Sequence, residues 1–141
     1  MEQRISLVTL GTGDLPRARA FYESLGWRGQ EVEETIFFQA GAMVLVLWAR
    51  AKVAADSGVP DDGRGTFDGV TLAQNVRSNA EVDAIVAAAA EAGARVTRPP
   101  GPTFYGGYAG VFLDPDGHAW EIAFNPAFTL DDDGALVLPE F

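Results

Sequence analysis

The sequence predicts an α+β fold made of two tandem βαβββ modules. Three observations carry this. An apolar strand-like run, an amphipathic helix and a set of short apolar runs occur in that order, and then occur again. Both helices open on a capping residue, Asp14 and Ser78, and stop at a glycine, Gly26 and Gly93. Each half closes with two apolar runs around a glycine-bearing turn, Ala40-Gly41-Ala42 in the first and Asp114-Pro115-Asp116-Gly117 in the second. Two such units in one chain can pair into a curved sheet, with helices outside and a cup inside.

In the first module, Ile5 to Leu10 is β-branched and apolar and reads as a strand, broken by Gly11-Thr12-Gly13. Asp14 caps a helix that tolerates Pro16 in its first turn. Ala18, Phe21, Tyr22 and Leu25 recur at helical spacing, so one face is buried. Trp27 begins a return strand. Thr35 to Gln39 and Met43 to Trp48 form a hairpin. Residues 50–66, rich in Ala, Asp, Gly and Pro, read as a linker with one helical turn near Ala51 to Ala55.

The second module repeats the order. Val70 to Val76 is a strand. Ser78 and Glu81 make a capping-box signature before the apolar face of Val82, Ile85, Val86 and Ala89. Ala94 to Thr97 is a return strand, and Pro99 to Tyr105 a loop that Gly106-Gly107 extends. Tyr108 to Leu113 and Ala119 to Phe124 form the closing hairpin. The boundaries are therefore module 1 at 1–49, the linker, module 2 at 67–126, and a tail at 127–141. Modules 1 and 2 together make one domain, 1–126. In the tail an acidic turn, Asp131 to Gly134, precedes the apolar run Ala135 to Leu138, which suggests a small hairpin.

Composition narrows the function. The net charge of −10 repels phosphate backbones, so nucleic acid is not expected as a partner. It could attract a cationic small molecule. No apolar run approaches the roughly 20 residues that a membrane helix needs, and no signal-like segment follows the N-terminus. A membrane partner is not expected, and a cytoplasmic location is. Cysteine is absent, which excludes disulfides, zinc-thiolate sites and a Cys nucleophile. The single histidine, His118, directly follows the turn glycine and reads as its flank.

One acid stands out. Glu121 lies between Trp120 and Ile122, with Ala119 and Ala123 on its side of the strand. A carboxylate there is a metal ligand, a tuned acid or base, a charge partner, or a strand residue that reaches solvent.

Leu10 to Tyr22 (LGTGDLPRARAFY), Leu25-Gly26-Trp27 and Phe112 to Ile122 (FLDPDGHAWEI) resemble the vicinal oxygen chelate superfamily. That group holds glyoxalase I, extradiol dioxygenases, fosfomycin resistance transferases and bleomycin-binding proteins. The resemblance implies paired βαβββ units around a cup-shaped site and a homodimer. It also implies, for the enzymes, a divalent metal held by strand residues, two from each half. The matching positions here are Leu7, Leu45, Thr71 and Glu121. Only Glu121 keeps a metal-ligating type, and first-row metals need several N, O or S donors. No cofactor is therefore expected; a divalent metal held through non-standard donors is the alternative.

Strand alternation and the repeat assign the cup. Leu7, Thr9, Met43, Leu45, Leu47, Thr71, Ala73, Asn75, Ala119, Glu121 and Ala123 point inward. Val44, Val46, Trp48, Trp120, Ile122 and Phe124 pack under helices. Gln74 then falls among core residues, where a polar side chain fits badly. The aromatic loop carrying Phe104, Tyr105 and Tyr108 is a candidate lid. The expected function is small-molecule binding, without the usual metal and with drug or metabolite sequestration as the nearest role. The alternatives are a metal-dependent lyase, isomerase or dioxygenase of the glyoxalase type, a metal-free enzyme with Glu121 as base, and an accessory protein whose cup is filled by side chains.

Overall fold

A computed structural model of the chain describes residues 7–56, 61 and 70–137. The chain divides into two compact units, Met1–Thr66 and Phe67–Phe141. The first contains β1 (Leu7–Thr12), α1 (Leu15–Ser24), β2 (Gly29–Val32), β3 (Thr35–Ala40), β4 (Met43–Ala49) and α2 (Arg50–Asp56). Its sheet runs β1-β4-β3-β2, with β1 parallel to β4 and the other pairs antiparallel. The second contains β5 (Thr71–Asn75), α3 (Asn79–Glu91), β6 (Arg95–Pro102), β7 (Tyr108–Leu113) and β8 (Ala119–Phe124), in the matching order β5-β8-β7-β6. This is the predicted βαβββ order, twice. A tail hairpin follows, of β9 (Thr129–Leu130) and β10 (Leu136–Val137). The linker residues 57–60 and 62–66, together with Ile5 and Leu138, lie outside the described residues.

The helix caps form as their sequences dictate. The Asp14 carboxylate accepts the Arg17 amide at 3.0 Å, and the Ser78 hydroxyl accepts the Glu81 amide at 3.3 Å. The Glu81 carboxylate reaches back one residue further than a capping box requires, to the Arg77 amide at 2.7 Å. Helix α1 buries Ala18, Phe21 and Tyr22. The Tyr22 ring meets Phe38 at 5.7 Å, and Trp27 meets both rings. Trp27 thus precedes β2 and packs, only partly buried, against the fully buried Tyr22 and Phe38. Full burial of side chains of this size stabilises by about 2 kcal/mol each.

Register decides which residues share a face. Across the first sheet, Leu45 aligns with Val8 and Phe38, and Leu47 with Leu10 and Ile36. Phe38 carries the contacts to Tyr22, so this row lies under α1. Met43, Leu45 and Leu47 are therefore on the helix face, and Leu45 and Leu47 are buried core. Val44, Val46 and Trp48 share the opposite face with Leu7 and Thr9. This reverses the sequence expectation for β4. The cause is a one-residue slip in overlaying the two hairpin turns. Two residues separate Ala40 from Met43, but five separate Leu113 from Ala119. Superposing Gly41 on Gly117 therefore shifts β4 by one residue, which flips every side chain. By register the counterpart of Glu121 is Val46.

In the second sheet the expected alternation holds. Trp120 and Ile122 align with Phe112 and Gly110. A Cβ on Gly110 would lie 3.0 Å from Val86 of α3, which identifies the helix face. Gln74 is on that face but exposed, because β5 is an edge strand of its sheet.

Two expected breaks are strands instead. Strand β1 continues through Gly11 to Thr12, because the glycine is needed for packing. A Cβ there would come within 3.0 Å of the Arg50 backbone. Likewise β6 runs through Pro99 to Pro102. It is the outer strand, where a missing N–H costs no ladder bond.

The two acidic turns are copies of one design. The Asp114 carboxylate accepts the amides of Asp116 and His118, both at 2.9 Å. The Asp131 carboxylate accepts those of Asp133 and Ala135, at 3.0 and 2.8 Å. Gly117 and Gly134 both take positive φ, +91° and +84°. Only their surroundings differ: Asp114 is 5% exposed, whereas Asp131 is on the surface. Asp114→Ala is expected to cost about 2 kcal/mol in urea denaturation, since it leaves two part-buried amides without their acceptor. Asp131→Ala, whose amides reach water, is expected to cost about 0.5 kcal/mol.

Candidate functional site

On the face of the second sheet away from α3, register lines up three rows across β5, β8, β7 and β6. They are Thr71-Ala119-Leu113-Arg95, Ala73-Glu121-Val111-Arg98 and Asn75-Ala123-Ala109-Gly101. The floor is made of alanine, glycine, valine and leucine. The polar groups are Glu121, two arginines, Thr71 and Asn75.

The arginines reach this face because β6 is irregular. Regular alternation would put Arg95 and Arg98 on opposite faces, since they are three residues apart. The register shifts between Val96, opposite Phe112, and Arg98, opposite Val111. Thr97 is the extra residue, and its hydroxyl bonds the Val111 carbonyl oxygen at 3.4 Å. The bulge turns Arg98 onto the face away from α3. Its side chain spans Val111, and Nη2 donates to Glu121 Oε2 at 2.9 Å. The Glu121 side chain keeps 32% exposure and that of Arg98 51%. The sequence leaves four readings of Glu121 open. The structure shows a half-exposed acid with a cation on it, so "charge partner" is the reading of Glu121 that the geometry supports.

Thr71, Asn75 and Glu121 share this face, on which Ala109 and Ala123 are buried and Thr71 and Ala73 are exposed. Leu7 and Thr9 lie on the face of the first sheet away from α1. Met43, Leu45 and Leu47 do not, as shown above. The aromatic stretch also divides. Tyr108 aligns with Phe124 on the helix face, and its hydroxyl donates to Asp83 of α3 at 2.9 Å. That bond raises the Tyr108 pKa above the ordinary phenol value, because Asp83 stabilises the protonated form. Tyr108 ties sheet to helix and is not part of a lid. Phe104 and Tyr105 cap the β6–β7 connection, their rings edge to face at 5.3 Å, and Phe104 is 101% exposed. The Thr103 amide donates to the Gly107 carbonyl oxygen at 3.0 Å, and the Gly107 amide to the Thr103 hydroxyl at 2.9 Å. This is a closed hairpin tip, and among the described residues it carries no lid-like segment.

Sequence reasoning missed Arg98 as the partner of Glu121. The signal was indirect: paired prolines mark an outer strand, and outer strands are where bulges collect. His118 donates its backbone amide to Asp114, in keeping with a turn flank.

The first unit offers Leu7 and Val46 at the strand positions discussed above, and the second offers Thr71 and Glu121. One carboxylate and one hydroxyl make a poor set for a divalent metal, and the carboxylate already accepts from a guanidinium. Among the described residues no group of three or more His, Cys, Asp or Glu side chains could hold a metal ion. No described helix is long and apolar enough to cross a membrane.

A family model described as the Glyoxalase/Bleomycin resistance protein/Dioxygenase superfamily matches residues 4–122. The chain belongs to this superfamily. No curated protein matches it. A glyoxalase-related enzyme from Fulvimarina pelagi is 35% identical and superposes with a TM-score of 0.90, over 99% of this chain and 100% of that one. A hypothetical protein from S. aureus is 25% identical with a TM-score of 0.77, over 89% and 95% of the two chains. A fosfomycin resistance protein from Mesorhizobium loti, 20% identical with a TM-score of 0.67 over 89% and 94%, shares the fold.

The Arg98–Glu121 pair is exposed enough for water to screen it. A double-mutant cycle with Arg98→Met and Glu121→Gln is expected to give a coupling of about 0.5 kcal/mol, smaller in high salt. A coupling near ~3 kcal/mol would mean a dry, buried pair instead.

Proposed function

We propose that this protein binds a small molecule on the face of the second sheet away from α3 and does so without the divalent metal of the superfamily's enzymes. The supporting observation is the engagement of Glu121 by Arg98. Glu121 is the only matching position with a strong donor, and it is held in an ion pair. The remaining positions offer a threonine hydroxyl and two aliphatic side chains. A face floored by small apolar side chains, with a few polar groups, suits a small guest. Sequestration of a drug or metabolite is the role this site suits best.

The alternative is a metal-dependent lyase, isomerase or dioxygenase of the glyoxalase type. It draws support from the Fulvimarina pelagi relative, which is described as a glyoxalase-related enzyme. Metal content separates the two readings. Protein purified without chelators should carry transition metal at well below one equivalent, by elemental analysis. EDTA should leave its melting temperature unchanged, because no metal contributes to the folded state. One tightly held equivalent, with a melting temperature that falls in EDTA, would favour the enzyme.

A further inference from the structure

Arg95 and Arg98 project from one face because the bulge at Thr97 absorbs a residue between them. They stand opposite Leu113 and Val111, two residues apart on β7, a spacing of about 7 Å. Arg98 uses one Nη2 hydrogen on Glu121, and a guanidinium has five donors in all. Arg95 is exposed and makes no ion pair or side-chain hydrogen bond among the described residues. Among the described residues the face therefore carries two positive groups against one negative, in a chain whose net charge is −10. The surplus cation is local and is produced by a specific irregularity in the strand.

We infer that the guest of this face is a small organic acid. Its oxyanion, a carboxylate or a phosphoryl group, takes the free Arg95 donors and those Arg98 has left. Its compact apolar body lies over Ala73, Ala119, Val111 and Leu113. Arginine forks fit oxyanions in a bidentate manner, and charge-assisted bonds of this kind are the stronger ones. Glu121 is a positioning residue here: it holds the Arg98 fork in one orientation. A cationic guest, which the acidity of the chain first suggests, would meet a carboxylate already satisfied and two repelling arginines. This inference rests on the small-molecule reading above and names its ligand class.

The test uses side-chain NMR of the arginine Nε–H groups in the full-length protein at constant ionic strength. Sodium benzoate and inorganic phosphate are titrated separately. The expected result is a saturable shift at Arg95 and Arg98, with Arg28 in the first unit unmoved. Saturation with benzoate identifies a carboxylate head, and saturation with phosphate alone a phosphoryl one. Arg95→Gln should weaken the response about tenfold, and Arg95→Lys should restore part of it. Glu121→Gln should leave the Arg95 shift in place while changing that of Arg98. No saturation with either anion, or an equal shift at Arg28, overturns the inference. Metal content of the same sample keeps the two proposals apart. A silent titration in metal-free protein overturns the organic-acid inference alone. A clear titration in metal-loaded protein supports it and overturns the metal-free reading.

Discussion

The buried carboxylate of Asp114 is the constraint on which the second unit depends. It gathers two backbone amides into a turn of fixed length, and that turn sets the register of β7 against β8. Register in turn decides faces. With Leu113 opposite Ala119, Glu121 stands beside Val111 on the side away from α3, and Trp120 and Ile122 go under α3. A turn one residue shorter or longer would bury the acid and expose the tryptophan. The tail repeats the same turn around Asp131, where little is buried and little depends on it.

A second local device, the bulge at Thr97, acts across the sheet. It re-aims Arg98 so that an outer strand supplies the partner for an acid two strands away. The tip beyond it is closed by Thr103 and Gly107, and the prolines of β6 lie on the outermost strand of their sheet. Strand irregularity, turn length and edge position thus act together to compose one polar cluster on a floor of small side chains.

Much of the fold was legible in the sequence, and the physical reason is locality. Caps at Asp14 and Ser78, glycine stops and alternating strands are written within a few residues of where they act. The duplicated order follows from them. The misread features depend on partners far along the chain. Gly11 looks like a strand breaker until Arg50 is seen against it. Pro99 and Pro100 look like a loop until β6 is known to be outermost. The faces of Leu45 and Leu47 were inverted because the two hairpin turns differ in length, a quantity that no single residue announces. Of the candidate site, Glu121, Thr71 and Asn75 were readable from alternation in module 2. Arg98 was not, because a bulge breaks the alternation that such a reading uses.

Membership in the superfamily fixes the scaffold and leaves the chemistry to the residues present. At the positions where a metal would need donors, this chain places Leu7, Val46, Thr71 and an acid already paired. The account therefore turns on whether Glu121 answers to an arginine or to a metal. The most direct measurement is a titration of the isotope-labelled protein with paramagnetic Mn²⁺, following the amide signals of Ala119 to Ala123. The account predicts no selective loss of these signals at one equivalent of metal, in the wild type and in Arg98→Met alike. Selective broadening centred on Glu121 at one equivalent, in the wild type, would contradict it.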